Sequence, residues 1–520
     1  MSATIAWLSL DDMAFHALIK CKCCAFRHIG WTPIFPPSSP DGEDIMADIA
    51  ETRAAPLSHS TAGALASLSL AMLVSSLATS IANVALPTLS VVFAASFPAV
   101  QWVVLAYLLA ITALIVSVGR LGDLVGRRLL LIAGLALFSA ASFAAALAPS
   151  LALLIAARAV QGLGAAVMMA LTIAVVGETV PKERTGSAMG LLGTMSAIGT
   201  ALGPSLGGVL IAALGWRSIF LVNAALGGVA LLAAWRFLPA AGIVRQATGA
   251  KARFDVPGTL LLAATLAAYA LAMTIGRGHF GGLNAALLGA AMAGAALFVV
   301  AEAKVASPLV KLALLRDRVL APSLAMNALV STVMMATLVV GPFFLSRALG
   351  LSEAATGAVL SIGPVVSAVC GIIAGRIVDR LGAAAMVIAG LALMVAGCAA
   401  LAALPNLFGV VGYAAAIAVL TPGYQLFQAA NNTAVMADVD ANERGVVSGM
   451  LSLSRNLGLV TGTAVMGAVF AFAVGTRDIA AAAPAAVAHG MAMTFAVAAG
   501  VVAVAAAIAF AGGRRERCSA

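Results

Sequence analysis

The sequence predicts an all-α polytopic membrane protein: fourteen transmembrane helices arranged as two six-helix bundles, with a two-helix hairpin inserted between them. Three observations predict it. First, of 520 residues 62% are hydrophobic and only 9% carry a formal charge, and the mean hydropathy is +1.09. Soluble domains use roughly 25% charged residues to coat their surface, so a soluble enzyme, a nucleic-acid-binding domain and a disordered chain are all excluded. Second, from residue 62 onward the chain is a train of apolar runs, each close to the roughly 20 residues that a helix needs to cross a bilayer. Third, two blocks of the chain recur at a nearly constant offset.

Taken in order, residues 1–61 differ in kind from the rest. They hold seven of the twenty acidic residues, three of the five histidines and three of the six cysteines. Asp11 and Asp12 interrupt the first apolar run, so no signal-peptide pattern forms. The spacing of Cys21, Cys23, Cys24 and His28 fits no zinc pattern. A disordered cytoplasmic extension is expected here. Met46 opens a shorter polar leader, and residues 1–45 are expected to be dispensable. The first bundle spans 62–238, with helices near 63–86, 100–118, 128–148, 151–177, 186–213 and 218–238. A linker over 239–320 carries the two extra helices, near 257–276 and 284–303. The second bundle spans 321–511, with helices near 321–346, 353–374, 384–403, 408–430, 445–473 and 489–511, and 512–520 is a cytoplasmic tail.

Basic residues set the orientation. With the N-terminus inside, the inner segments beyond the extension hold nineteen Lys and Arg. The outer segments hold only Arg217, Arg277, Arg347 and Arg477. Both termini are therefore expected in the cytoplasm, and the net charge of +9 is a topology signal that needs no nucleic acid. Six scattered cysteines form no disulfide framework.

The repeat carries the most information. Gly119-Arg120-Leu121-Gly122-Asp123-Leu124-Val125-Gly126 returns as Gly375-Arg376-Ile377-Val378-Asp379-Arg380-Leu381-Gly382, 256 residues later. Gly186, Gly190, Gly199, Gly203 and Gly208 return as Gly445, Gly449, Gly458, Gly462 and Gly467, 259 residues later. Eight spans separate equivalent helices, so the two halves share one orientation. Two six-helix halves related by an axis along the membrane normal are a transporter plan, with the site between them.

Within that plan, several residue types are costly enough to need a reason. The glycines of 119–126 suit a tight cytoplasmic reversal. Asp123 just before the third helix suits the positive end of a helix dipole, and Arg127 and Arg128 can pair with it or meet lipid headgroups. Gly199, Gly203 and Gly207 recur every four residues and so form a smooth face for close backbone approach; Pro204 interrupts the hydrogen bonding of that face. Arg158 lies about 10 Å from the outer end of its helix, with Gln161 one turn on. A cation there should face a partner or a wet cavity. Arg455 lies about 15 Å into its span and is read the same way. Gln425, Gln428, Asn431, Asn432 and Asn456 add polar groups to the second half.

These blocks resemble a known family. Gly119 to Arg128 looks like the signature loop between helices 2 and 3 of the major facilitator superfamily. Ala157-Arg158-Ala159-Val160-Gln161-Gly162-Leu163-Gly164 resembles its helix 4 motif. Gly199-Thr200-Ala201-Leu202-Gly203-Pro204-Ser205-Leu206-Gly207-Gly208 is similar to the helix 5 motif of its antiporters. With Asn83-Val84-Ala85-Leu86-Pro87, Gly215-Trp216-Arg217 and fourteen spans, the chain resembles the drug:proton antiporter subfamily of the EmrB/QacA type. The resemblance covers residues 62 to about 511. It implies a proton-coupled exporter of small amphipathic compounds in a bacterial inner membrane, monomeric, with periplasmic efflux partners in some cases. It also implies a conformational lock at Gly119, Asp123, Gly126, Arg127 and Arg128, weaker in the copy at Gly375, Arg376, Asp379 and Gly382, where Ala383 and Ala384 replace the two arginines. It places Arg158, Gln161, Arg455, Asn83, Asn431 and Asn432 along a proton or substrate path. The helix 5 residues Gly199, Gly203, Pro204, Gly207 and Gly208 become a pivot between the halves.

One expected residue is missing. The family usually carries an aspartate in helix 1, where this chain reads Leu77-Ala78-Thr79-Ser80. No Asp or Glu lies deep inside any expected span, which disfavours a cationic cargo and leaves no obvious proton carrier. A neutral or anionic cargo fits two deep arginines better. A dedicated exporter of one such metabolite, or a transport-dead homologue acting as sensor or scaffold, are the alternatives. No histidine lies inside an expected span, His279 and His489 being at outer ends, and no Walker lysine loop is present, so no cofactor, metal or direct ATP use is expected.

Overall fold

The computed structural model describes residues 59–180, 185–238, 256–275, 281–304, 317, 319–437, 439, 444–476, 479 and 481–519. The extension expected over 1–61 therefore lies almost wholly outside the described residues. So do 239–255 and 305–316 of the expected linker, and the side chains of the tail.

Helices carry almost all of the described chain. α1 (His59–Val92), α2 (Phe97–Val125), α3 (Arg127–Leu147), α4 (Leu151–Thr179), α5 (Thr185–Leu214) and α6 (Arg217–Phe237) come first. α7 (Val256–Thr274) and α8 (Gly282–Lys304) pack on each other as a hairpin, with α7 against α2. α9 (Leu320–Phe343) ends in a π turn over Phe344–Ala348. α10 has two segments, Glu353–Leu360 and Ile362–Leu381; Pro364 has no N–H to return to Leu360, and the helix bends there.

The stretch Ala383–Ala437 is 55 residues long, about 82 Å if straight against a hydrocarbon core of about 30 Å. Gly409, at φ 56° and ψ −128°, folds it into two antiparallel spans, α11 before it and α12 after it. Only glycine adopts that conformation without strain. α13 follows as Arg444–Thr461, a π turn over Gly462–Met466, and Gly467–Val474; α14 is Pro484–Ser519. Among the described residues, thirteen helices are long and apolar enough to cross a membrane, and the double one makes fourteen spans. The break expected over 404–407 moves outward: α11 runs through Pro405 before reversing. This extra turn makes α11 longer than α3 and absorbs the growth of the repeat offset from 256 to 259.

The repeat is structural. α2 and α10 start after Ser96 and Ser352 and stop at Gly126 and Gly382, whose φ angles are 100° and 86°. Each stop is a single residue, so the reversal expected as a loop is helix almost throughout, and Asp123 sits in the last turn of α2. In the first half α1 packs on α5, and α4 on α2 and α3; in the second, α9 packs on α13 and α14. Polar groups inside the bundle hydrogen-bond across it, as hydrocarbon surroundings require. Ser76 meets Ser196 at 2.7 Å between α1 and α5, and Thr332 donates to Gly458 O at 3.2 Å between α9 and α13. Trp102 donates to Thr274 Oγ1 at 3.1 Å, tying α7 to α2. The halves meet along α5 with α10, α2 with α13, and α1 with α9.

Candidate functional site

Four helices of the first half build one polar cluster around Arg158. The side chain projects from α4 and is wholly buried. Its Nε donates to Val103 O of α2 at 2.8 Å, its Nη1 to Gln161 Oε1 at 2.5 Å, and its Nη2 to Ala78 O of α1 at 3.3 Å. The guanidinium lies 4.1 Å from the centroid of the Tyr107 ring, whose hydroxyl donates to Ser75 O at 2.9 Å. Gln161 Nε2 donates in turn to Ser142 Oγ of α3 at 2.7 Å. One cation thus ties α4 to α1, α2 and α3 through neutral acceptors and a ring face, and none of these contacts is a carboxylate. Carbonyl dipoles and the ring quadrupole offset part of the cost of removing the charge from water. A planar fork of donors suits three acceptors in three directions, as an ammonium does not.

Ala78, where the resemblance expects an acid, lies directly in this cluster, and its carbonyl takes the Nη2 donor. Asn83, one turn or so further along α1, is buried and donates to Thr79 O at 3.0 Å and Ser80 O at 3.3 Å. Its Oδ1 has no hydrogen-bond partner among the described residues.

The other expected residues are not gathered here. Arg455 is exposed, and its enclosed neighbour is Asn456; the expected second deep arginine is therefore not enclosed. The two asparagines of α12 also divide. Asn432 is exposed, whereas Asn431 is fully buried, with neither amide atom hydrogen-bonded among the described residues. Helical rotation of about 100° per residue separates each pair, which span depth alone does not reveal.

The glycine ridge of α5 also divides. Gly199, Gly203 and Gly207 face α1 of their own half: a Cβ on Gly203 would lie 2.9 Å from Ile81 N, and one on Gly207 2.9 Å from Ile81 Cγ1. Only Gly208 and Pro204 reach the other half. A Cβ on Gly208 would lie 2.9 Å from Gly357 Cα of α10, and Gly357 in turn abuts Pro204 O. At the equivalent place in the second half, Gly467 of α13 abuts Gln101 of α2, and Gln101 Nε2 donates to Thr463 O at 2.8 Å inside the π turn. Gln101 escaped the sequence reading; its signal was its place 256 residues before Gly357. Nearby, Phe97 packs edge-on against Phe343 at 4.8 Å and Phe470 at 5.4 Å between ring centroids.

Where α2 passes into α3, Arg128 Nη2 donates to Trp235 O of α6 at 3.0 Å, so one of the two arginines caps a neighbouring helix. Arg376 and Asp379 are exposed. The side chain of Asp123 lies outside the described residues. Gly119 and Gly375 sit within α2 and α10 with open space around them.

A family model described as Major Facilitator Superfamily matches residues 68–463. The chain belongs to this superfamily. Among curated relatives, the uncharacterized transporter YebQ of Escherichia coli is 32% identical over 74% of this chain and 84% of its own. The multidrug resistance protein Stp of Mycobacterium tuberculosis is 32% identical over 75% and 72%. The riboflavin transporter RibZ of Clostridioides difficile is 29% identical over 75% and 84%. Among solved structures, a bacterial homologue of the lysosomal transporter Spinster, inward-facing and unoccupied, aligns with a TM-score of 0.62 at 15% identity, over 88% of this chain and 98% of that one. The protein is a multi-pass membrane transporter of this superfamily, with relatives named for multidrug efflux, acting on small molecules rather than catalysing a reaction on them.

Proposed function

We propose that this transporter exports small amphipathic compounds across the bacterial inner membrane by alternating access, with both termini in the cytoplasm, as a monomer that hands cargo to periplasmic efflux partners where these exist. The relatives named for multidrug resistance support export, and the basic-residue count supports the orientation. In this reading the halves are 62–238 and 321–511, and 239–320 is the inserted hairpin with its linkers. The observation that carries the choice of cargo is Arg158, enclosed by neutral acceptors beside Ala78 with no carboxylate in contact. A fixed cation with no carboxylate in contact among the described residues favours neutral or anionic amphiphiles over cations by field alone. Proton coupling, as the family implies it, has to use a group other than a helix 1 aspartate. A narrower reading, export of one neutral or anionic metabolite, is favoured by the likeness to a riboflavin transporter. Uptake assays in proteoliposomes, with matched anionic, neutral and cationic amphiphiles and with or without a pH gradient, test all of this. Preference for cations, together with unchanged export by Arg158→Ala, would overturn it.

A further inference from the structure

On the outer face, a cavity of about 340 Å³ lies at the seam of the halves, between the outer ends of α1 and α9 and the start of α10. That is within the range of small-molecule pockets, about 300–1,000 Å³. One wall is apolar, formed by Pro87, Val91 and Leu351; the other carries Ser346, Arg347 and Thr356. Three buried polar atoms of that wall, Ser346 Oγ, Arg347 Nε and Thr356 Oγ1, have no hydrogen-bond partner among the described residues, although Thr356 is only 2% exposed. Such groups are ordinarily satisfied. Three such atoms, all able to donate, lie just behind the surface of one cavity, and we read them as a place for an acceptor.

The repeat shows what fills the equivalent place on the other flank. α2 and α10 are equivalent, and their first residues are Phe97 and Glu353. On the α2 flank the Phe97 ring inserts between Phe343 and Phe470, and Gln101 closes the crossing one turn deeper. On the α10 flank a carboxylate at the rim replaces the ring and Gly357 replaces the glutamine. The space that the ring fills on one side is left open on the other, directly above the Gly208–Gly357 contact.

We propose that this cavity is the last binding station for cargo on the outer side, taking an amphiphile with an anionic, acceptor-bearing head such as a carboxylate. The head meets Arg347, Ser346 and Thr356, the tail lies on the Pro87–Leu351 wall, and the exposed Glu353 repels the anion and so promotes release. This inference rests on the export reading above.

The test is fluorescence titration of the protein in nanodiscs with 11-(dansylamino)undecanoate and its methyl ester, against protein-free nanodiscs. The acid should bind more tightly than the ester, and Arg347→Gln should weaken the acid about tenfold and the ester little, as loss of one charge-assisted hydrogen bond predicts. Glu353→Phe, which restores the ring of the other flank, should abolish binding of both. Glu353→Gln, a nearly isosteric change that spares packing, should tighten the acid. Wild-type binding by Arg347→Gln and Glu353→Phe, or weaker binding by Glu353→Gln, would overturn the proposal. Export measured in parallel separates the two readings. Cavity-dependent binding without export of any probe sinks the export reading alone. Wild-type export and binding by Glu353→Phe sinks the cavity alone.

Discussion

α4 and α12 occupy equivalent places in the two halves, and two glycines fix their register. A Cβ on Gly164 would lie 2.8 Å from Gly134 O, and one on Gly423 3.0 Å from Gly390 O. At that register Arg158 corresponds to Ile417, Gln161 to Leu420, Ser142 to Cys398 and Tyr107 to Gly363. The first half fills the position with a hydrogen-bonded cation over an aromatic ring. The second fills it with buried aliphatic side chains, and Ile417 lies against the bare backbone of Gly363. Two copies of one framework have thus divided the work. One carries the charge and the polar network, and the other presents an apolar counter-surface.

The sharpest way to break this comparison is to put a cation where the second half has none. Ile417→Arg should cost about 3 kcal/mol or more, since nothing there replaces Val103 O, Gln161 and the Tyr107 ring, and little folded protein should elute on size exclusion. Next comes the reverse change. Arg158→Ile combined with Gln161→Leu copies the second half into the first. The freed carbonyls keep their helical bonds, so melting should shift by only a few degrees while export falls at least about tenfold. Normal export by this double variant would make the cluster a structural tie. Arg158→Lys should lie between the double variant and wild type, with cargo affinity reduced more than maximal rate, because a point charge reaches fewer of the three acceptors. The smallest effect is expected at the two copies of the Gly119–Gly126 block. Asp123→Asn should slow export severalfold at matched expression, and Asp379→Asn should do less, since Ala383 and Ala384 stand where Arg127 and Arg128 do; equal effects would erase the distinction.

Much of the fold was legible because bilayer physics leaves few options. Fourteen runs of sufficient length, the one-sided distribution of arginine, and the glycine of each helix stop all follow from the sequence. Arg158 and Gln161 were legible too, since three residues on a helix share a face. Facing directions elsewhere were not. The spans are apolar nearly all round, so Arg455 and Asn432 carry no periodic signal to say which way they point. The α5 glycines announce a close approach without naming the partner, and α1 takes three of them. The two π turns leave no mark on hydropathy, and with them the acceptor used by Gln101 stayed hidden.

The extra turn of α11 has a consequence for the membrane itself. α3 has 21 residues and is about 31 Å long, whereas Ala383–Phe408 spans about 39 Å. Apart from Asn406, the α11–α12 tip is apolar: Leu407, Phe408 and Val411 are 72%, 63% and 73% exposed. A hydrocarbon layer of about 30 Å matches α3 standing upright, but it covers α11 only if that helix leans by about 40° or the leaflet thickens around it. Bilayer thickness is therefore a variable to which the two halves respond unequally. Lengthening the acyl chains relieves the second half while stretching the first.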